Sequence, residues 1–254
     1  MDKSTFVTTR KLYHYTSFES AIKIIATNTL RFGKLDAMND INEAYRSIFY
    51  GEGLSITEKD VKNALQEYQQ LSFTMDKKST PGYSISAMWG HYAKKGCGVC
   101  LVFDSNAIKR LVDTDKSSWC GKINYSKSFD GSIAVIDNDI HNFLKDNYID
   151  IFFTKTPDWT YEQEWRVVKR VCGTDNHTLN IDNILIGIIL YASESTKSDD
   201  SIFSSPEAKS FEKLAPNIPI FGFGQWNGEP ILKNANGEDW AKIESNKWTL
   251  DVMG

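Results

Sequence analysis

The sequence predicts a single α+β domain in which helices pack around a central, mostly antiparallel sheet of split type. Two near-continuous apolar runs, Val99–Phe103 and Ile184–Ala192, have the length and composition of strands buried on both faces. Other segments carry apolar residues at helical spacing, and no connecting stretch is a linker strong enough to divide the chain. The 254 residues can bury one large core, so we expect one domain over residues 1–254.

Composition and charge are those of a soluble globular protein. Hydrophobic residues make up 41% of the chain and charged residues 24%, and the net charge of −4 gives no bulk reason to expect nucleic-acid binding. The N-terminus lacks the apolar segment of a signal peptide, and the run Ile184–Ala192 is too short to span a bilayer. We therefore expect a cytoplasmic protein with reduced thiols and no membrane partner.

The chain opens with a predicted strand–helix–strand unit. Lys11–Thr16 alternates and is rich in Tyr, which indicates a strand, and Ser17 then caps a helix with an apolar stripe. Asn28 ends this helix, and Leu30–Gly33 returns as a short strand. The helix N-terminus favours an anionic ligand such as a phosphate. The side chains that lie beside it, at the end of the first strand, are His14, Tyr15 and Thr16.

Further elements follow along the chain. Thr57 caps a predicted amphipathic helix that continues to about Leu71. After a polar loop, Tyr83–Ser86 is predicted as a short strand and Ala87–Ala93 as one or two helical turns. Three more helices are predicted, at Asn106–Val112, Ile133–Phe153 and Pro206–Leu214, the second of them a long core helix. The remaining predicted strands are Trp119–Tyr125, Glu162–Arg170, Ile184–Ala192, Ile218–Phe221 and an edge strand at Trp248–Val252.

The segment from Tyr83 to Phe103 combines a small polar strand, an aromatic helical turn and a buried strand, which together make a good pocket wall. Aromatic residues, at 13% of the chain, line ligand pockets as well as cores. The alternative is a hydrophobic corner that seals the core. The side chains that would face a ligand are Ser84, Ser86, Trp89, His91 and Tyr92.

The best pair of carboxylates lies on the predicted strand Glu162–Arg170. Strand alternation puts Glu162, Glu164 and Arg166 on one face. A carboxylate here could stabilise an oxocarbenium-like transition state or orient a sugar hydroxyl. The alternative is a solvated surface strand on which Glu164 simply pairs with Arg166. For His14, similarly, the choice is between a half-buried histidine of a sheet and a hydrogen-bonding residue for a nucleotide ribose.

No metal is expected. Cys97 and Cys100 have metal-ligand spacing, but no second such pair follows, so small thiols entering a core strand are the preferred interpretation. Asn39, Asp40 and Glu43 could bind a cation, although a capped loop explains them as well.

Four sequence blocks resemble a bacterial family known as domain of unknown function 2971. Their order and spacing match those of the family over roughly residues 10–190. The chain departs from the family pattern at Ile41 and Asn42, where a Pro followed by an aromatic residue is usual. The resemblance implies a family-like core at about 10–190 and a C-terminal extension at about 191–254. The blocks are LYHYTS with AIKII and LRF (Leu12–Phe32), AMNDINEA (Ala37–Ala44), MWGHYAKKGCGVCLVF (Met88–Phe103) and FTKTPDWTYEQEWRVV (Phe153–Val168).

A more distant resemblance is to ADP-ribosyltransferase-like enzymes, and it implies their split-sheet fold with NAD as substrate. In those enzymes a first-strand His contacts a ribose of NAD, a second-strand Ser or Tyr shapes the nicotinamide pocket, and a late Glu of a Glu-x-Glu pair holds a ribose hydroxyl. The matching positions here are His14 and Thr16 for the first motif, Ser84, Ser86 or Tyr92 for the second, and Glu164 with Glu162 for the third.

The resemblance implies an enzyme that cleaves the nicotinamide–ribose bond of NAD and passes ADP-ribose to a macromolecule or to water. Glu164 would stabilise the developing positive charge and Glu162 would orient or deprotonate the nucleophile. His14 and Tyr15 would hold a ribose, and Tyr92 and Trp89 would stack on or wall the nicotinamide ring. Family habit suggests a bacterial toxin or anti-phage effector, with a neutralising or regulatory protein as a further partner.

Two alternatives remain open. The first is a non-catalytic module that binds a nucleotide or a protein. Catalysis requires Glu164 to face inward and to have no committed partner, so a Glu164 held by Arg166 on the outer face would count against it. The second is a metal-dependent nucleic-acid-processing enzyme that uses Asp40, Glu43 and Glu164, and the acidic pI near 5.6 disfavours it.

Overall fold

The computed structural model describes residues 10–38, 40, 48–50, 56–77, 80–126, 133–135, 139–171, 177–192, 202–226 and 229–234. The chain divides into two compact units, which we call the first and the second unit. The first comprises Met1–Thr29, Thr74–Ile108 and Asn180–Gly254, and the second comprises Leu30–Phe73 and Lys109–Leu179. The predicted α+β class is confirmed, since both units combine helices with strands. The split layout of the sheet and the single domain stay predictions.

The described residues form both strands and helices, numbered here in chain order. The strands are β1 Lys11–Thr16, β2 Thr29–Arg31, β3 Gly33–Lys34, β4 Ile48–Tyr50, β5 Tyr68–Met75, β6 Val99–Asp104, β7 Ser118–Lys122, β8 Asn124–Tyr125, β9 Ile133–Val135, β10 Thr154–Lys155, β11 Glu164–Arg170, β12 Thr178–Asn180, β13 Leu185–Tyr191, β14 Ile220–Trp226 and β15 Glu229–Asn234. The helices are α1 Phe18–Thr27, α2 Glu58–Leu65, α3 Ser86–Tyr92, α4 Ser105–Asp113, α5 Ile140–Asp146, α6 Tyr148–Phe152 and α7 Pro206–Leu214. None of them is long and apolar enough to cross a bilayer.

The first unit is built on strands in the order β15, β14, β13, β6 and β1. All neighbours in this order are antiparallel except β13 and β14, which are parallel. The end of β5 continues the sheet beyond β1, with Leu12 opposite Met75 and Tyr13 opposite Thr74. Strand β6 is apolar and buried at five consecutive positions, as expected for a strand covered on both faces. Helices α1 and α7 pack together through the rings of Phe18 and Phe211.

The second unit has its own antiparallel strands and its own core. Strand β3 pairs with β5 at Gly33 and Gln70, and β11 pairs with β7 over five residues. Helices α2, α5 and α6 contribute to one cluster of buried side chains in which Tyr68 stacks on Phe152. An aromatic and aliphatic core therefore lies beside β11, which carries Glu164; Glu162, predicted on the same strand, instead ends the 3₁₀ turn that precedes it.

Local signals predicted several elements correctly. Strand β1 and helix α7 have the predicted bounds, and Ser17 caps α1 by accepting a hydrogen bond from the Ser20 amide. Asn28 ends α1 in the left-handed region at φ 52°, a conformation that Asn tolerates well. The strands predicted at Val99–Phe103 and Ile184–Ala192 are confirmed as β6 and β13.

Three predicted elements are wrong. The helix from Thr57 ends at Leu65, because the following Tyr68–Met75 is a strand buried on both faces. Ile133–Phe153 is not one helix: it contains β9 and then two short helices separated at Asn147, whose backbone is not helical. The predicted strand at Tyr83–Ser86 is replaced by a 3₁₀ turn and the start of α3. The edge strand predicted at Trp248–Val252 lies outside the described residues.

Candidate functional site

In the first unit, strand β1 divides its predicted site residues between two faces. Tyr15 is buried and its hydroxyl donates a hydrogen bond to the Gly82 carbonyl, while His14 and Thr16, on the opposite face, are half-buried. Burial raises the pKa of Tyr15 well above its usual range, so this phenol stays neutral. Tyr15 is therefore part of the core, whereas His14 and Thr16 keep part of their surface exposed, and their role in ligand binding stays a prediction.

Trp89, predicted to wall a nicotinamide ring, lies at the centre of an aromatic cluster of the first unit. Its exposed fraction is 2%, and its indole N–H donates to the Tyr83 carbonyl at 2.7 Å. The rings of Tyr15, Tyr191 and Phe223 lie between 5.1 and 5.6 Å from it, centroid to centroid. These contacts match the alternative interpretation of this segment, a hydrophobic corner that seals the core.

The other predicted residues around α3 lie nearer to solvent. Ser84 is half-buried and donates to the Pro81 carbonyl, and Ser86 is exposed and accepts a hydrogen bond from the Gln225 amide. His91 is exposed and Tyr92 is half-buried. The structure thus gives Ser84, Ser86, His91 and Tyr92 some access to solvent, and their role in ligand binding stays a prediction.

In the second unit, the two predicted carboxylates converge on one lysine. Lys155 Nζ lies 2.8 Å from Glu162 Oε2 and 2.9 Å from Glu164 Oε2. Arg166 completes the group, because its Nε and Nη2 donate to the two oxygens of Glu164 at 2.7 and 2.8 Å. All four residues are buried, with exposed fractions between 1% and 6%. We call this set, Lys155, Glu162, Glu164 and Arg166, the ion cluster.

The local fold explains how these residues meet. Pro157 begins a 3₁₀ turn that ends at Glu162, and Gln163 then takes a left-handed conformation at φ 48° before β11 begins. Strand alternation keeps Glu164 and Arg166 on the same face of β11, where their side chains can pair. The Tyr125 hydroxyl accepts a hydrogen bond from the Glu164 amide at 2.8 Å and so fixes the start of the strand.

The ion cluster contains two cations and two carboxylates, so it carries no net formal charge when all are ionised. Burial alone would raise the pKa of Glu164, but the Arg166 guanidinium and the Lys155 ammonium outweigh that effect. They hold this pKa at about 2, below the ordinary value of 4.5. Glu164 is therefore a carboxylate at neutral pH. Burial likewise raises the pKa of the neighbouring Tyr125 phenol, which stays protonated.

Catalysis requires Glu164 to face inward and to have no committed partner, and the structure meets only the first of these conditions. Glu164 is buried, at 3% exposure, rather than on a solvated outer face. Its carboxylate is nevertheless committed to a bidentate pair with Arg166 and a contact with Lys155. Arg166 is itself fixed, since its Nη1 donates to the Phe152 carbonyl at 2.8 Å. In this state the carboxylate is held in place and is not available to a substrate.

Sequence reasoning missed three residues next to this pair. Lys155 lies seven residues before Glu162 and meets it only through the fold, although it belongs to the same sequence block, Phe153–Val168, that carries the resemblance. Tyr125 comes from a separate strand. Gln163 was assigned to a regular strand, yet it is buried in a left-handed conformation, and its Oε1 has no hydrogen-bond partner among the described residues. Its position between Glu162 and Glu164 is the one feature of the sequence that could have marked Gln163 as a site residue.

Within the described parts of the chain, no group of three or more His, Cys, Asp or Glu side chains could hold a metal ion. The expectation of two core thiols is confirmed for Cys100, which is buried in β6, and is wrong for Cys97, which is exposed because it precedes the strand. Asp40 is buried. Glu43, which the metal-dependent alternative also needs, and Asn39, predicted with Asp40 and Glu43 as a candidate cation loop, lie outside the described residues.

Part of the chain is similar to a known family, and the fold is similar to two solved structures. The family model described as "Protein of unknown function (DUF2971)" matches residues 88–167, which confirms the resemblance over this segment. No curated protein matches the chain. Among solved structures, Thermus sp. 2.9 DarT in complex with NAD+ is similar at 11% identity and a TM-score of 0.37, over 83% of this chain and 92% of that chain. DarT from the same source, in complex with ADP-ribosylated ssDNA, is similar at 11% identity and a TM-score of 0.36, over 81% and 90%.

Proposed function

We propose that the protein is an NAD-utilising enzyme that cleaves the nicotinamide–ribose bond and transfers ADP-ribose to a macromolecule or to water. The observation that carries this proposal is the convergence of the Glu-x-Glu pair: both carboxylates contact one buried lysine, and Glu164 is ionised at neutral pH. An anionic carboxylate in a site shielded from water is what a developing ribose cation requires. Sites with buried, strongly perturbed acids are also more often functional than surface pairs.

The reaction assigns a different task to each glutamate. The bond between ribose C1 and the nicotinamide nitrogen breaks, and its electron pair leaves with nicotinamide. Glu164 stabilises the oxocarbenium-like ribose that remains. A new bond then forms from C1 to the acceptor oxygen or nitrogen, and Glu162 takes the proton that the acceptor loses. For Glu164 to act, part of its pairing with Arg166 must be exchanged for contact with the substrate.

The finer assignments rest on the resemblance. We propose His14, Tyr15, Thr16, Ser84, Ser86, Trp89, His91 and Tyr92 as residues that form the NAD site. Of these, the half-buried and exposed side chains have surface to offer, whereas Tyr15 and Trp89 would act through the aromatic core that they support. A role as a cytoplasmic toxin or anti-phage effector, with a protein or nucleic-acid acceptor and a neutralising partner, belongs to the same proposal.

The test is to incubate the purified protein with NAD and to follow free nicotinamide. We compare wild type with Glu164→Gln, Glu162→Gln and the control Glu212→Gln, which changes an exposed glutamate of α7. Loss of one transition-state contact at Glu164 should slow release on the order of a hundredfold. Because Glu164 also pairs with Arg166, each variant is first checked for folding by circular dichroism. No release and no NAD binding by folded wild type would remove the proposal.

A second candidate is a non-catalytic nucleotide-binding module, and a specific observation favours it. The bidentate Arg166–Glu164 pair is the committed state that would count against catalysis. A module of this kind would bind NAD or another nucleotide without releasing nicotinamide. Calorimetry beside the release assay separates the candidates, since binding without release in the wild type supports the module.

A further inference from the structure

Gln163 is a buried polar residue with two unfavourable features, a left-handed backbone and an amide oxygen without a donor in the part of the chain that the structure describes. Its exposed fraction is 7%, its backbone is left-handed at φ 48° and ψ 46°, and its Oε1 is buried with no hydrogen-bond partner among the described residues. A buried amide oxygen without a donor carries the full desolvation penalty of that group. A left-handed conformation is also unfavourable for a side chain of this kind.

A matched residue in the same unit shows the contrast. Gln69, on β5, is also buried, but its Oε1 accepts a hydrogen bond from the His177 amide at 3.3 Å. Within the described parts of the chain, the amide oxygen of Gln69 therefore has a structural partner and that of Gln163 has none. Stability alone does not account for an amide at position 163, and a donor from a ligand would satisfy its oxygen.

The side chains just before Gln163 indicate what that ligand is. Trp159 and Tyr161 lie on the same 3₁₀ turn, are both half-exposed, and have ring centroids 6.1 Å apart at an interplanar angle of 31°. Lys155 Nζ lies 5.0 Å from the Trp159 ring centroid, so this aromatic pair adjoins the ion cluster. A half-exposed aromatic pair can stack on a flat ring of a ligand. The Gln163 amide oxygen, two residues after Tyr161, can accept a hydrogen bond from an N–H group on that ring.

We propose that Gln163 recognises the carboxamide of the nicotinamide ring, with its Oε1 accepting a hydrogen bond from the carboxamide N–H. This inference rests on the proposed function, since it names the part of NAD that the second unit would bind. Gln163 touches the leaving group and not the ribose, so it acts on affinity for the substrate ring. The inference places the nicotinamide ring beside Trp159 and Tyr161 and not beside Trp89, which is buried in the core of the first unit.

The binding test compares NAD with its 3-acetylpyridine analogue, in which a methyl ketone replaces the carboxamide and removes the N–H donors. Wild type should bind NAD about tenfold more tightly than the analogue, the worth of about one hydrogen bond. Gln163→Met, which keeps the side-chain length and removes the amide, should bind both equally. The control Gln69→Met should keep the tenfold preference.

A second measurement, on the protein without NAD, does not depend on the proposed function. Gln163→Met removes an unpaired acceptor and should raise the thermal midpoint by about 2–4 °C, whereas Gln69→Met should lower it by a similar amount. A lower midpoint for Gln163→Met would mean that the amide has a structural partner, and would overturn the inference. Wild type that binds NAD and the analogue equally would also overturn it while the proposed function stands. Wild type that binds neither compound would remove both.

Discussion

Replacing Glu164 by Gln tests the ion cluster directly, because this carboxylate is the group that both cations contact. The substitution keeps the size of the side chain and removes its charge. Arg166 then loses its bidentate carboxylate at 2.7 and 2.8 Å, and Lys155 loses its ion pair with Glu164 at 2.9 Å. All of these groups are buried, so water cannot replace the lost contacts.

The expected loss of stability at neutral pH follows from the burial of the ion pairs, and the direction of the Glu164 pKa shift agrees with it. Removing one member of a buried ion pair costs about 3–5 kcal/mol, because the remaining charge stays desolvated without a partner. The pKa of Glu164, about 2 in place of the ordinary 4.5, shows the same direction, since the folded protein stabilises the ionised carboxylate. We therefore expect Glu164→Gln to lower the free energy of unfolding at pH 7 by about 3 kcal/mol or more.

The pH dependence has a definite sign. The pKa of Glu164 is lower in the folded than in the unfolded protein, so its contribution is fully present above about pH 5 and is lost as the pH falls through 4.5 towards 2. Urea unfolding, followed by tryptophan fluorescence between pH 3 and pH 7, measures this contribution. The curve for wild type should fall below pH 4.5 more steeply than that for Glu164→Gln, and the two should approach each other in acid.

The control is Glu212→Gln, which changes an exposed glutamate of α7 and should alter the free energy of unfolding by less than about 0.5 kcal/mol. Two results would refute the reasoning. One is a Glu164→Gln variant as stable as wild type at pH 7. The other is a difference between the two proteins that stays constant from pH 7 to pH 3.

Three further substitutions test other parts of the fold, each by its thermal or urea midpoint. Tyr68→Phe removes a buried hydroxyl with no hydrogen-bond partner among the described residues, so stability should be unchanged or rise by up to about 1 kcal/mol; a clear loss would show a missed donor. Ser17→Ala removes the cap that accepts from the Ser20 amide and should cost about 1 kcal/mol, and no loss would mean that α1 does not depend on it. Gly98→Ala would place a methyl group against the Thr16 carbonyl and should cost about 1–3 kcal/mol or more, whereas a neutral effect would contradict the close approach there.

The sequence predicts elements well where a local signal marks both ends. Helix α1 has a capping serine before it and Asn28 after it, and α7 begins with Ser205 followed by Pro206. Strand β6 is correctly predicted because a short apolar run between turns fits few other structures. In these segments local chemistry and the tertiary fold favour the same conformation.

Prediction fails where tertiary packing decides between two patterns. The apolar spacing after Thr57 fits a helix as far as Leu71, but Tyr68–Met75 pairs with its neighbours as a strand. The long helix predicted to end at Phe153 is broken at Asn147, which no repeat of apolar residues could reveal. The same limit applies to the site: Glu162 and Glu164 could be chosen by their type, but Lys155 joins them only through the fold.

The geometry of the ion cluster decides what catalysis would demand. Glu164 can contact a ribose only after Arg166 gives up at least one of two short hydrogen bonds inside a buried site. If separating the pair costs about 4 kcal/mol, roughly one molecule in a thousand has an available carboxylate at any time. The nicotinamide ring of NAD is cationic and can replace part of the positive charge that Arg166 supplies, which lowers that cost when the substrate is bound. An enzyme therefore gains its active state from substrate binding, whereas a binding module keeps the Arg166–Glu164 pair throughout. The state of this one ion pair in the NAD complex separates the two functions.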